Sequence, residues 1–189
     1  MDGGHNRLRR EAQLLALRPD LCPQVLRGNV DTRLAKLDAE QYDSIIVASS
    51  GLKRLGLSHR VTERLSIQQM LPAVAQGALG IECRLEDVAT LQLIKPLHHL
   101  PSAHCVLAER SLNKALDGGC HLPVAGFAEI NAAGLLHLQG MVALANGSVV
   151  MKATAEGPPH QAESIGQKVA QQLFREGAKA IIDAARQEE

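Results

Sequence analysis

Three groups of residues have side chains suited to chemistry. Arg9, Arg10, Arg27, Arg33 and Arg54 fall at expected helix starts, strand ends and turns rather than along one helical face. A guanidinium fork grips a carboxylate or phosphate with two parallel N–H donors, so several of them at one cleft would mark a polyanionic ligand. Solvated surface charge is the plainer reading of the same residues. Cys120 follows Gly118-Gly119 directly after a helix. Its thiol would be accessible there, and His121 beside it would favour the thiolate, so reactive and structural readings stand level. Cys22, Cys83 and Cys105 lie within apolar patterns and read as small core residues. The third group is His98, His99, His104, Cys105, Cys120 and His121, whose spacing fits no metal signature. There is no C-x-x-C pair, so no metal is expected. Nucleotide-binding glycine patterns, serine-hydrolase elbows and H-E-x-x-H are also missing.

The background of these residues narrows the function classes. The chain has 189 residues, with 20 Lys+Arg balancing 20 Asp+Glu and 46% hydrophobic residues. That supports one ordinary domain or two small ones with real cores, and it weighs against disorder. The only aromatics are Tyr42, Phe127 and Phe174, too few for base-stacking platforms, and zero net charge argues against a dedicated nucleic-acid binder while leaving room for a local basic patch. Neither nucleic acid nor membrane is expected as a partner. No apolar run approaches the roughly 20 residues that span a bilayer, and MDGGHNRLRR has no signal-peptide core. A soluble cytoplasmic chain with reduced thiols is the expectation.

The elements that must position these groups can be read from periodicity. Residues 7–20 read as a helix, QVLRGNV as a short strand, and RLAKLDAEQ as a helix capped by Thr32. YDSIIVAS at 42–49 is a buried-strand run, followed by a helix from Gly51. This alternation predicts an α/β layer with a mainly parallel sheet. Arg27-Gly28-Asn29 and Ser49-Ser50-Gly51 would then lie at carboxyl ends of strands, where such sheets bind ligands. Beyond Pro96, Ser102 caps an apolar helix that stops at 117–119. Strands follow at 121–130, 135–145 and 148–157, with Asn146-Gly147 as a two-residue hairpin turn. Residues 160–187 are helical. The second half therefore predicts a small α+β domain, a three-stranded antiparallel sheet covered by helices.

Taken in order, these stretches resemble the porphobilinogen deaminase (hydroxymethylbilane synthase) family. The resemblance is carried by LRR at 8–10 with QLLALRPDL, LRGNVDTRLAKLD at 26–38 and YDSIIVASSGLKRLGL at 42–57. It continues through LPAVAQGALGIECR at 71–84, AERSLNKALDGGCHLPVAGFAE at 108–129 and EGAKAIIDAAR at 176–186. The family polymerises four porphobilinogen units, releasing ammonia each time, in tetrapyrrole (haem and porphyrin) biosynthesis. The resemblance implies a dipyrromethane cofactor joined by a thioether to Cys120. It assigns Arg9, Arg10, Arg27, Arg33 and Arg54, with Gln76 in the hinge VAQGA, to the cofactor and the growing pyrrole chain. Each pyrrole carries an acetate and a propionate, so such a chain needs several bidentate cations.

The resemblance also implies a domain division. Residues 1–77 would be part of a second, periplasmic-binding-protein-like α/β domain with its hinge. Residues 78–99 would pack on an N-terminal domain that the sequence lacks, and 100–189 would be the cofactor-bearing α+β domain. The family's catalytic aspartate belongs to that N-terminal domain, so no catalytic residue is assigned here. His5-Asn6-Arg7 stands where the family has Gly-x-Ser-Ser, and Ala75 replaces a glycine of the hinge. The expectation is a truncated form with little activity alone and an uncovered apolar face at Leu79, Ile81, Leu91, Leu93 and Ile94. A non-catalytic anion- or partner-binding remnant is one alternative. The other is half of a split enzyme, completed by a separate N-terminal polypeptide; the complete family protein is monomeric.

Overall fold

The structure, a computed structural model, describes residues 5–117 and 122–187. It divides into two compact units, Cys22–Ser66 and the remainder, with Met1–Leu21 grouped with Ile67–Glu189.

The larger unit is organised by one antiparallel sheet in the order β1-β2-β3, formed by Val124–Ile130, Leu136–Ala143 and Val150–Gly157. Val124 pairs with Val142 and Ile130 with Leu136, and Ala143 pairs with Val150 across the second ladder. Alternation sorts the side chains of β2 to two faces. Leu136, Leu138 and Val142 point to one side, where helices α5 (Leu100–Ala115), α6 (Ala162–Arg175) and α7 (Ala178–Gln187) cover them. On α6 the apolar residues Ile165, Val169 and Leu173 recur every four positions and are fully buried. Each contributes about 1.5–3 kcal/mol of burial. The predicted α+β half is therefore formed.

Helix α1 (His5–Leu17) covers part of the opposite face. Its Ala12 packs with Leu71, Ala125, Met141 and Ala143 in a second, smaller core. The β2–β3 turn also leans on α1. A Cβ on Gly147 would lie 2.6 Å from both Ala12 O and Ala16 N. The turn differs from the expected two-residue hairpin. Leu144 N donates to Val149 O, so four residues form the loop, and only Gly147 takes a positive φ, 71°. Asn146 keeps a negative φ and accepts the N–H of Ser148 at 3.0 Å. Close approach to α1 thus selects the glycine.

Two expected caps also move. Asn29, not Thr32, caps α2 (Val30–Asp38), and His99, not Ser102, caps α5. In each case the expected residue sits three positions inside the helix and donates the N–H that the true cap accepts.

The smaller unit, Cys22–Ser66, holds α2, α3 (Ser49–Arg54) and a short turn of 3₁₀ helix at Ser58–Arg60. Leu34 and Leu52 are its buried residues. The expected parallel sheet is not formed: no strand occurs among residues 22–66, and residues 24–29 and 44–48 run irregularly. A β-run becomes a strand only when a neighbour supplies ladder hydrogen bonds. Instead the Tyr42 hydroxyl donates to Val25 O at 2.7 Å, and Arg60 pairs with Asp38. Arg27-Gly28-Asn29 and Ser49-Ser50-Gly51 accordingly mark helix starts rather than strand ends.

Between the sheet domain and α1's partner segment lies residues 78–99, with α4 (Val88–Ile94) capped by Asp87. Leu79 is 91% exposed, Ile81 56% and Leu93 78%, while Ile94 is half-buried. Among the described residues no helix is long and apolar enough to cross a membrane.

Candidate functional site

Helix periodicity sets Arg9 and Gln13 one turn apart on the face of α1 that meets residues 67–74. Arg9 is 3% exposed, which excludes solvated surface charge for this residue. Its Nη1 donates to Leu71 O, and its buried Nε has no partner among the described residues. Burial, followed by the positive charge of Arg10, pulls the Arg9 guanidinium down to about 10. It stays charged at neutral pH. A buried cation with an unfilled donor is a cost, of about 1–3 kcal/mol for the donor alone, that an anion relieves. Arg10 is half-buried on the next position.

The smaller unit gathers a second basic group around the loop at Gly28. That residue has φ 115°, and an added Cβ would come within 2.7 Å of Thr32 Cγ2. Only glycine fits the bend. Asn29 Oδ1 then accepts both the N–H and the hydroxyl of Thr32, each at 2.8 Å. Arg33 Nε donates back to Gly28 O at 2.7 Å, and Lys36 Nζ to Arg27 O at 3.3 Å. Arg33 and Lys36 therefore brace the loop that carries exposed Arg27. Arg54 closes α3, exposed, where a cation suits the carboxyl end of a helix.

Gln76 lies in the loop after Leu71. It is exposed, and its Oε1 accepts the N–H of Ala73 at 3.2 Å. Ala75 has φ 59° and Gly77 φ 95°, so the residues on either side of Gln76 bend through the left-handed region. Glu109 on α5 fixes this loop, and sequence reasoning missed it. Its carboxylate accepts Ala75 N at 2.6 Å and Ala128 N at 2.7 Å, bridging the loop to β1. Glu109 is 6% exposed, and burial pushes its carboxyl up, against the pull of those two N–H donors. The signal was an acidic residue beside Ala108 and Leu112 in the buried stripe of α5, where a charge survives only with partners.

Cys120 lies outside the described residues, as do Gly118, Gly119 and His121. Before them α5 has ended and Asp117 takes φ 50°; after them Leu122 and Pro123 are buried. The other cysteines correct the expectation of core roles. Cys22 and Cys83 are exposed, and Cys105 alone packs against the core. Burial, then Glu109 and Glu129, pushes the Cys105 thiol up, away from reactivity. Among the described residues no His, Cys, Asp or Glu group of three is placed to hold a metal.

Comparison with known families gives the chain its class. Residues 4–92 match the family model "Porphobilinogen deaminase, dipyromethane cofactor binding domain". Residues 103–175 match "Porphobilinogen deaminase, C-terminal domain". The chain belongs to the porphobilinogen deaminase family, a transferase family of tetrapyrrole biosynthesis. The arginine chemistry fits the dipyrromethane group: a ring carboxylate would supply the acceptor that the buried Nε of Arg9 lacks among the described residues.

Proposed function

We propose that this chain binds a dipyrromethane primer and the pyrrole chain grown from it, in the reaction that converts four porphobilinogen molecules to hydroxymethylbilane. Arg9, Arg10, Arg27, Arg33 and Arg54 take the acetate and propionate carboxylates. Gln76 presents its amide from the braced loop, and Cys120 holds the primer through a thioether. The primer supplies the free pyrrole end to which units are added. In forming the link, the Cys120 sulfur bonds to an aminomethyl carbon as the carbon–nitrogen bond breaks and ammonia leaves.

The observation that carries this reading is Arg9: 3% exposed, charged, and with one donor unfilled. A surface arginine would have no need of a ligand anion. Arg9 offers a dry, fixed guanidinium, whereas Arg27 sits on a solvent-facing loop held by Arg33 and Lys36. Residues 78–99 present an apolar surface suited to a further domain.

Denaturing intact-mass measurement after incubation with porphobilinogen tests the reading, alone and with a polypeptide supplying the family's N-terminal domain. A mass gain of two pyrrole units that is lost in Cys120→Ser supports it. Restored turnover in the mixture supports a role in the full reaction. No gain under either condition leaves an anion-binding module as the better account.

A further inference from the structure

We infer that Gln13 is a positioning residue for Arg9, fixing through the Leu71 carbonyl the direction in which the Arg9 guanidinium is presented to a ligand carboxylate. The inference rests on the proposed carboxylate-binding role of Arg9. Both backbone polar groups of Leu71, its N–H and its carbonyl, are held by one side-chain amide. Leu71 N donates to Gln13 Oε1 at 2.7 Å, and Gln13 Nε2 donates to Leu71 O at 3.1 Å. Nε2 also donates to Arg9 O at 3.1 Å, tying the amide to its own helix. The second lone pair of Leu71 O takes Arg9 Nη1. The carbonyl that orients Arg9 is thus itself oriented by Gln13.

Burial makes the arrangement specific. Arg9 and Gln13 are each 3% exposed and Leu71 1%, so water does not compete for these bonds. Packing alone would be served better by Leu or Met at position 13, since a buried amide is costly unless its bonds are made. Here they are made, to both backbone polar groups of one residue. Arg9 meanwhile keeps its Nε without a partner among the described residues. A guanidinium held by one N–H, with another donor unfilled, is ordered before the ligand arrives. The ordering cost on binding is reduced accordingly.

Side-chain hydrogen exchange on the full chain tests this, reading the Arg9 Nε–H signal assigned by its loss in Arg9→Lys. In the parent protein it should exchange at least roughly tenfold more slowly than that of exposed Arg110. In Gln13→Met the protection should fall to the Arg110 level while amide protection along β2 persists. Gln13→Glu keeps the acceptor for Leu71 N and serves if the Met variant does not fold. Its carboxylate should capture Arg9 and weaken porphobilinogen binding roughly tenfold in the Cys120→Ser background. An Arg9 signal as fast as Arg110 in the parent, or unchanged in Gln13→Met, overturns the inference. Unaltered porphobilinogen binding in Gln13→Glu overturns it as well. If Arg9→Leu itself leaves binding unchanged while the exchange results hold, the carboxylate reading has failed and the Gln13–Leu71–Arg9 geometry has not.

Discussion

The Glu109 carboxylate accepts the backbone N–H of Ala75 at 2.6 Å, and Ala75 stands at φ 59°. An alanine in the left-handed region costs about 1–2 kcal/mol, and the buried acceptor offsets that cost. The loop bearing Gln76 is thus held by a helix 34 residues further along the chain. Since the other carboxylate oxygen takes Ala128 N, Glu109→Ala should strand two N–H groups. We expect a loss of about 2–4 kcal/mol, read as a lower denaturant midpoint with an unchanged slope.

Glu109 also gives stability a pH dependence of defined sign. Burial raises its carboxyl in the folded chain above the usual 4.5, so the folded state holds this proton more tightly than the unfolded state does. Its contribution is therefore full below the unfolded value and is lost as pH rises through the folded one. Thermal melts should show stability falling across that window, and Glu109→Gln should remove this part of the slope. A variant that keeps the full slope would place its origin elsewhere.

Gly147→Ala should destabilise the larger unit by about 2–4 kcal/mol, from a Cβ driven into the α1 backbone and a positive φ. Ala at Gly134 provides the control. That glycine also has a positive φ, but nothing lies within 4 Å of its added Cβ, so the cost there should be about half as large.

Arg27→Leu should weaken binding of a pyrrole polycarboxylate by about tenfold, the value of one charge-assisted fork. Arg33→Leu should do at least as much, because it also releases the Gly28 carbonyl through which Arg33 braces the loop. Calorimetric titration with porphobilinogen in the Cys120→Ser background checks both. Equal binding by parent and Arg27→Leu removes Arg27 from the site.

The strands of the larger unit were legible because their alternation is local and both faces are covered by this chain. The runs at QVLRGNV and YDSIIVAS have strand composition but no ladder, and composition does not encode a neighbour. Thr32 and Ser102 looked like caps because their types are right; the residues three places earlier hold the acceptors. The arginine set and Cys120 came from motif order. The burial of Arg9 did not, since a charged residue is read as exposed until its partners are known. Gln13 and Glu109 were overlooked for the same reason: each is polar on an apolar face, and each is accounted for only by backbone groups distant in sequence.

The central claim is that this chain carries a cysteine-linked pyrrole primer held by arginines. Denaturing intact mass after exposure to porphobilinogen, beside Cys120→Ser and with the family's N-terminal domain supplied, tests it most directly. The account predicts a gain of two pyrrole units in the parent and none in Cys120→Ser. An unmodified mass in both, from folded protein with that domain present, would contradict it.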